Sequence, residues 1–224
     1  MNRGSLLLSA ACKALAGTAL MGLLLFLPAG TLAYPHAWLL IALLFFPMVL
    51  LGIVLAAKAP QLLEKRMNMR EREKTQIGVV ALSGVQLVLM FVLAGLDFRF
   101  GWTHLPAWIV WFASLLFLVG YALYGEVLRE NAWLSRTVEI QDGQQLVDTG
   151  LYGVVRHPMY CATVLLFLSM PLVLASLPAF AVMLPYPVLL AVRIANEEQV
   201  LLAGLPGYEA YRQRVRWRMI PFIW

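Results

Sequence analysis

Four stretches of this chain run without a single Asp, Glu, Lys or Arg: Ala14–Ala57, Thr75–Leu96, Gly101–Gly125 and Cys161–Val192. About 20 predominantly apolar residues cross a bilayer as helix, so the first stretch is long enough for two passes and each of the others for at least one. In lipid every backbone N–H and C=O must be satisfied within the structure, which leaves helices or a closed barrel. Barrel strands alternate apolar and polar residues, and unbroken apolar runs do not. The expected fold class is therefore all-α, a polytopic membrane protein. Composition agrees: 62% of residues are hydrophobic and 13% charged, against about 25% charged in a soluble domain, and the mean hydropathy is +0.79.

The last run, Cys161–Val192, holds 32 residues; as one helix it would reach about 48 Å, too far for a single span. Proline at 171, 178, 185 and 187 also argues against one straight helix. Two short, tilted spans turning near Ser176–Pro178 fit better. The expected count is about six transmembrane helices, at roughly 8–27, 36–57, 76–96, 107–128, 159–176 and 179–195, the last two forming a short hairpin.

A net charge of +5 would admit nucleic acid as a partner, but its placement points to membrane topology. With the N-terminus in the cytosol, all of the 17 basic residues except Arg99 and Lys13 fall on the cytosolic side, as the positive-inside rule requires. Arg70, Arg72 and Arg136 are among them. Both termini and the mouth of the hairpin then face the cytosol. The start LLLSAAC resembles a lipoprotein signal, but Lys13 follows at once, and a first transmembrane helix is the better reading. The basic stretch Lys58–Lys74, with apolar Leu62, Leu63, Met67 and Met69, reads either as an interfacial helix on anionic headgroups or as a solvated linker.

The chain divides into a four-helix scaffold, residues 1–128, and a working region, 129–224. The long loop between 129 and 158 carries a short extended piece at Arg136–Ile140 and a turn at Asp142–Gly143. Cys12 and Cys161 show neither disulfide nor zinc spacing, and His36, His104 and His157 are scattered, so no metal site is expected. No GxGxxG, P-loop or GxSxG motif is present.

Chemistry concentrates where charge meets the last apolar run. GLYGVVRHPMY, residues 150–160, precedes it, and Arg193, Glu197 and Glu198 follow it. Ionisable groups at such a boundary are costly and mark functional sites by default. Proline disfavours helix in the residue before it and favours the first turn, so a helix should begin at Pro158 with His157 just outside. Arg193 and Glu197 are four apart on one helical face and could simply pair with each other; the hairpin would bring both back near His157 and Tyr160. Tyr208 and Tyr211 read as interface anchors.

LVDTGLYGVVRHPMY, then an apolar hairpin, then RIANEEQVLLAGLPGYEAYRQRVRWRMIPFIW, resembles the isoprenylcysteine carboxyl methyltransferase family and the related phospholipid methyltransferases. The likeness covers roughly Asn131–Trp224 and, more weakly, Pro60–Arg66. It implies S-adenosylmethionine (SAM) as cofactor, held in a pocket closed by the C-terminal region, and a lipophilic acceptor reached from the membrane. By position, Gln144, Gln145, Leu146, Val147, Tyr152, His157, Pro158, Met159, Tyr160 and Glu197 would bind the cofactor. Arg193 would orient the acceptor, and Arg193 and Glu197 would form the catalytic pair. Gln144 stands where eukaryotic members usually have histidine.

A C-terminal carboxylate is already ionised at neutral pH, so methyl transfer to it needs no general base. An amine such as that of phosphatidylethanolamine must first lose a proton, to His157 or Glu198. A non-enzymatic reading, a transporter or structural protein with Arg193–Glu197 as a gate pair, has little support: the middle of the first four spans holds no charge and Gln86 as its one amide. Membrane sterol reductases share a similar C-terminal region but use a nicotinamide cofactor.

Overall fold

The structure is a computed structural model that describes residues 3–67, 74–135 and 137–224. Met69, Arg70, Arg72 and Arg136, which figure in the sequence reading, lie outside the described residues. Among the described residues there are helices and no strand: α1 (Arg3–Ala29), α2 (Pro35–Lys58), α3 (Pro60–Met67), α4 (Lys74–Phe100), α5 (Ala107–Glu130), α6 (Pro158–Val173), α7 (Leu177–Met183), α8 (Tyr186–Gly204) and α9 (Tyr208–Arg214). Leu7–Ala29, Pro35–Lys58, Gln76–Phe100, Ala107–Glu130 and Leu177–Gly204 are each long and apolar enough to cross a membrane. The chain is a multi-pass membrane protein.

Helix ends fall where the local chemistry puts them. Pro35 opens α2, and Pro158 opens α6 with His157 as the residue before it, because proline's fixed φ and missing N–H suit a first turn. Gly101, at φ +65°, lets the N–H turn back to the Asp97 carbonyl and closes α4. Ser176 caps α7 by accepting from the Ala179 N–H at 3.3 Å. The turn at Asp142–Gly143 is present, whereas residues 137–140 form no strand.

The first four spans follow their expected positions, and the last two turn back at Leu174–Ser176 as a hairpin whose limbs differ from the expected bounds. The 16-residue α6 is about 24 Å long, short of the roughly 30 Å hydrocarbon layer. Its return limb is two helices, α7 and α8, broken at Leu184–Pro185. It continues to Gly204, well beyond the anticipated end near 195. The limbs also diverge: α6 lies mainly along α5, whereas α7 and α8 pack on α4. That divergence opens a space between them.

Small residues permit the tightest helix contacts. A Cβ at Gly95 would sit 2.5 Å from the Leu25 carbonyl oxygen, so α1 and α4 meet backbone to backbone. A Cβ at Gly120 would meet the Leu166 side chain at 3.0 Å, marking a similar approach of α5 and α6. At the end of the bundle away from His157, the buried Tyr34 hydroxyl donates to the Leu174 carbonyl at 2.7 Å and its ring stacks on Phe98. One aromatic side chain thus joins the α1–α2 turn, α4 and the tip of the α6–α7 turn.

Two apolar residues of α3 face the protein. Leu62 and Leu63 are buried against Leu55, Ala56 and Leu128. Arg66 donates to the Tyr124 hydroxyl at 2.8 Å and to the Ser135 carbonyl at 3.1 Å. Replacing Gly95 with valine should force α1 and α4 apart and cost about 1–3 kcal/mol, read as a lower melting temperature of the detergent-purified protein. Gly52→Ala, where a Cβ meets nothing within 4 Å, should leave melting unchanged or raise it.

Candidate functional site

A cavity of about 530 Å³ fills the space between the diverging limbs, bounded by α4, α5, α6, α8, the loop after α5 and the segment through α9. Each of Gln144, Gln145, Leu146, Val147, Tyr152, His157, Pro158, Met159, Tyr160, Arg193 and Glu197 lines it. Those residues come from three separate parts of the chain, and the fold gathers them around one space.

The polar centre of the cavity is a bridge across the two limbs. Tyr160, in the first turn of α6, donates its hydroxyl proton to Glu197 Oε2 at 2.5 Å and accepts from Arg193 Nε at 2.9 Å. Arg193 and Glu197 are thus connected through Tyr160. His157 Nδ1 lies 4.0 Å from Glu197 Oε1. Tyr160 therefore fixes the guanidinium and the carboxylate relative to each other.

Glu198 turns away from the cavity and makes a different structure. Its carboxylate accepts from Arg156 Nε at 2.7 Å and from Arg218 Nε at 3.1 Å, with His157 Nε2 at 3.3 Å. Arg156 and Glu198 are almost fully buried. Arg156 also donates to the Val215 and Arg216 carbonyls at 2.7 and 2.9 Å, and the Arg156 and His157 N–H groups donate to the carbonyls of Trp217 and Arg218. One carboxylate on α8 thereby holds the start of α6 and the C-terminal segment together. Committed to this network, Glu198 is poorly placed to take a proton from an acceptor.

The loop wall is built by specific local bonds. Glu130, at the end of α5, accepts from the Leu151 N–H and holds the turn Gly150–Gly153. A side chain at Gly150, whose φ is +53°, would overlap the Glu130 carboxylate, so glycine is required there. Tyr152 is buried; its hydroxyl accepts from Asn131 Nδ2 at 2.9 Å and its carbonyl accepts from the Tyr211 hydroxyl at 2.8 Å. Gln144 uses its side-chain oxygen to accept from the Gln141 N–H at 3.0 Å, so that oxygen braces the turn, and its amide NH₂ retains its donors.

Tyr208 and Tyr211 are not interface anchors. Both are buried, in a cluster with Leu205 and Val215 against Ile140, Leu146, Leu201 and Leu202, and both line the cavity. Burial pushes the ionisation of Tyr152, Tyr208 and Tyr211 well above the ordinary tyrosine value, so their hydroxyls keep their protons at neutral pH. The amphipathic look of the tail misled here, because GYEAY gives no sign that the loop at Leu146 will cover it.

Sequence reasoning also passed over lining residues of the first half: Arg66 of α3, Tyr124 of α5, and Val79, Val80, Ser83, Gly84 and Leu87 of α4. Val80 and Gly84 both line the cavity and are exposed, on a helix long and apolar enough to span a membrane. The cavity thus has an exposed edge along α4 as well as charge at its centre. Among the described residues no group of His, Cys, Asp and Glu could hold a metal ion.

These features define a class: a multi-pass helical membrane protein with a cavity that combines charged and apolar lining. Residues 108–205 match the model of the phospholipid methyltransferase family. The chain is also 33% identical over 91 residues to the Delta(14)-sterol reductase TM7SF2 of Mus musculus, a match covering 39% of this chain and 22% of the reductase. The chain thus spans about a fifth of the length of that curated relative.

The buried ion cluster makes a direct prediction. Arg156→Ala removes the shortest of the three contacts to the buried Glu198 carboxylate and leaves the Val215 and Arg216 carbonyls without their donor, and should cost about 3–5 kcal/mol, seen as a large drop in melting temperature. Arg214→Ala, which removes an exposed pair with Asp148, should change stability by less than about 1 kcal/mol.

Proposed function

We propose that this protein is an integral-membrane, SAM-dependent methyltransferase acting on a lipophilic acceptor, most similar in its motifs to isoprenylcysteine carboxyl methyltransferases. The observation that carries the reading is the Arg193–Tyr160–Glu197 bridge: a fixed carboxylate and a fixed guanidinium joined by one hydroxyl in a cavity with an exposed edge on the apolar helix α4. The family match over residues 108–205 supports the same chemistry.

The residues present fit the cofactor. When bound, SAM supplies a methyl group activated by a sulfonium. Glu197 offers an anion for that cationic end. Gln144, Gln145, Leu146, Val147, Tyr152, His157, Pro158, Met159 and Tyr160 form the remaining cofactor wall. Arg193 holds an anionic acceptor group beside it, and Tyr160 links the two charged side chains. An ionised carboxylate needs no proton removed, so alignment and exclusion of water are the main tasks. The opening beside Val80 and Gly84 admits the acceptor's hydrocarbon chain from the bilayer. In this proposal residues 1–128 are the scaffold and lateral wall, 129–224 carry the chemistry, and the site and both termini face the cytosol.

Two specific findings favour other acceptors or cofactors. The family match is to phospholipid methyltransferases, which raises an amine acceptor; with Glu198 committed to Arg156 and Arg218, His157 is then the group left to take the proton. The sterol reductase likeness raises a nicotinamide cofactor.

Calorimetry on the detergent-purified protein separates the cofactors: SAM should bind and NADPH should not, and the reverse result overturns the proposal. Glu197→Ala should weaken SAM binding by about 2 kcal/mol or more. Labelled methyl transfer should favour farnesylcysteine analogues over phosphatidylethanolamine and give a base-labile ester; a base-stable product would assign an amine acceptor. Arg193→Ala should lower turnover at least about 100-fold while leaving most SAM affinity, and equal loss of both would contradict its role. With a carboxylate acceptor, turnover should stay nearly flat from about pH 6 to 8, well above a carboxyl pKa near 3.5; an amine acceptor predicts a rise with pH.

A further inference from the structure

Tyr208 carries an unmatched hydroxyl. The residue is 3% exposed, and its Oη is a buried polar atom with no hydrogen-bond partner. Its neighbour Tyr211 is equally buried but donates to the Tyr152 carbonyl. A buried hydroxyl without a partner forfeits its bonds to water, and such a group in a folded protein calls for an explanation. Among the described residues, Gln86 Oε1 and Asp97 Oδ2 are also buried without partners, but neither residue lines the cavity. Tyr208 does.

Its surroundings define what it can meet. Tyr208 opens α9 immediately after Gly207, whose φ is +83°, and Gly207 lies against the Leu146 side chain. Around the ring are Leu205, Tyr211 and Val215, with Ile140, Leu146, Leu201 and Leu202 packed against them. The ring packs on this apolar and aromatic wall, while the charges of Glu198, Arg156 and Glu197 lie near enough to act on the hydroxyl. A flat heteroaromatic group suits such a wall, and it presents ring nitrogens and an amino group at its edge. A protonated tyrosine hydroxyl both donates and accepts, so it can bond either kind of edge atom or a ribose hydroxyl.

We propose that the Tyr208 hydroxyl is a cofactor-binding group, bonding the purine–ribose portion of the adenosyl cofactor on the wall formed by Gln144–Val147 and α9. The inference rests on the SAM reading and adds a residue outside the motif at 150–160 and outside the Arg193–Glu197 pair. It also assigns α9 a direct contact with the cofactor besides its packing.

Tyr208→Phe tests it, because the ring and its packing stay while one oxygen leaves. The ligand-free variant should melt at or above the wild-type temperature, since an unsatisfied buried group has been removed. Its SAM affinity by calorimetry should fall about tenfold, the size of one neutral hydrogen bond. Methylthioadenosine, which keeps the purine and ribose but lacks the amino-acid end, should lose the same factor. Unchanged SAM affinity overturns the proposal, as does a lowered melting temperature without loss of affinity. Weaker SAM binding with unaltered methylthioadenosine binding also overturns it, by moving the contact to the amino-acid end. A wild-type protein that binds neither ligand overturns the methyltransferase reading itself, and that result appears before any substitution is made.

Discussion

The site depends on one buried carboxylate. Glu198 gathers Arg156, His157 and Arg218 from the start of α6 and the C-terminal segment, and none of these elements is adjacent to α8 in sequence. Burying charge is expensive unless every partner is present and well aligned. Here the guanidinium of Arg156 is further held by the Val215 and Arg216 carbonyls. The arrangement is therefore strict: a shift of the C-terminal segment would leave Arg156 short of acceptors and Glu198 short of donors together. Its neighbour Glu197 faces the cavity as a consequence, because successive helical residues point about 100° apart.

A second constraint is the divergence of α6 from α7 and α8. Two apolar helices packed side by side would have closed this space. Instead α6 follows α5 through the close approach at Gly120, and the return limb follows α4. The break at Leu184–Pro185 lets α8 take a course different from α7. The tip of the arrangement is pinned by Tyr34 and Ser176, so the limbs meet at one end and separate toward the other. Charge sits at the open end, and a largely apolar lining lies along α4.

Much of the fold was legible from residue patterns. Long uncharged runs require helices because lipid offers no partner for the backbone, and Pro158 announced its own helix start. The Pro185 break was visible as a proline but not as a change of course, since that depends on what α8 packs against. The grouping of His157 and Tyr160 with Arg193 and Glu197 followed from a turn near Ser176–Pro178. Their actual linkage did not: spacing offered a direct Arg193–Glu197 pair, and the structure interposes the Tyr160 hydroxyl. The roles of Arg66, Tyr124 and the α4 face were not legible at all, because single residues in apolar or basic segments carry no signal of the cavity they border.

By itself the sequence determined that the chain spans a membrane several times, where its helices lie and which residues combine charge with an apolar boundary. Those properties follow from local hydrophobicity and backbone chemistry, which need no knowledge of neighbours. Only the tertiary structure decided that Glu198 is a structural anchor while Glu197 faces the cavity, that α3 packs on the protein, and that Tyr208 is enclosed with an unmatched hydroxyl. Each of these depends on which segments, dozens of residues apart, come within hydrogen-bond reach.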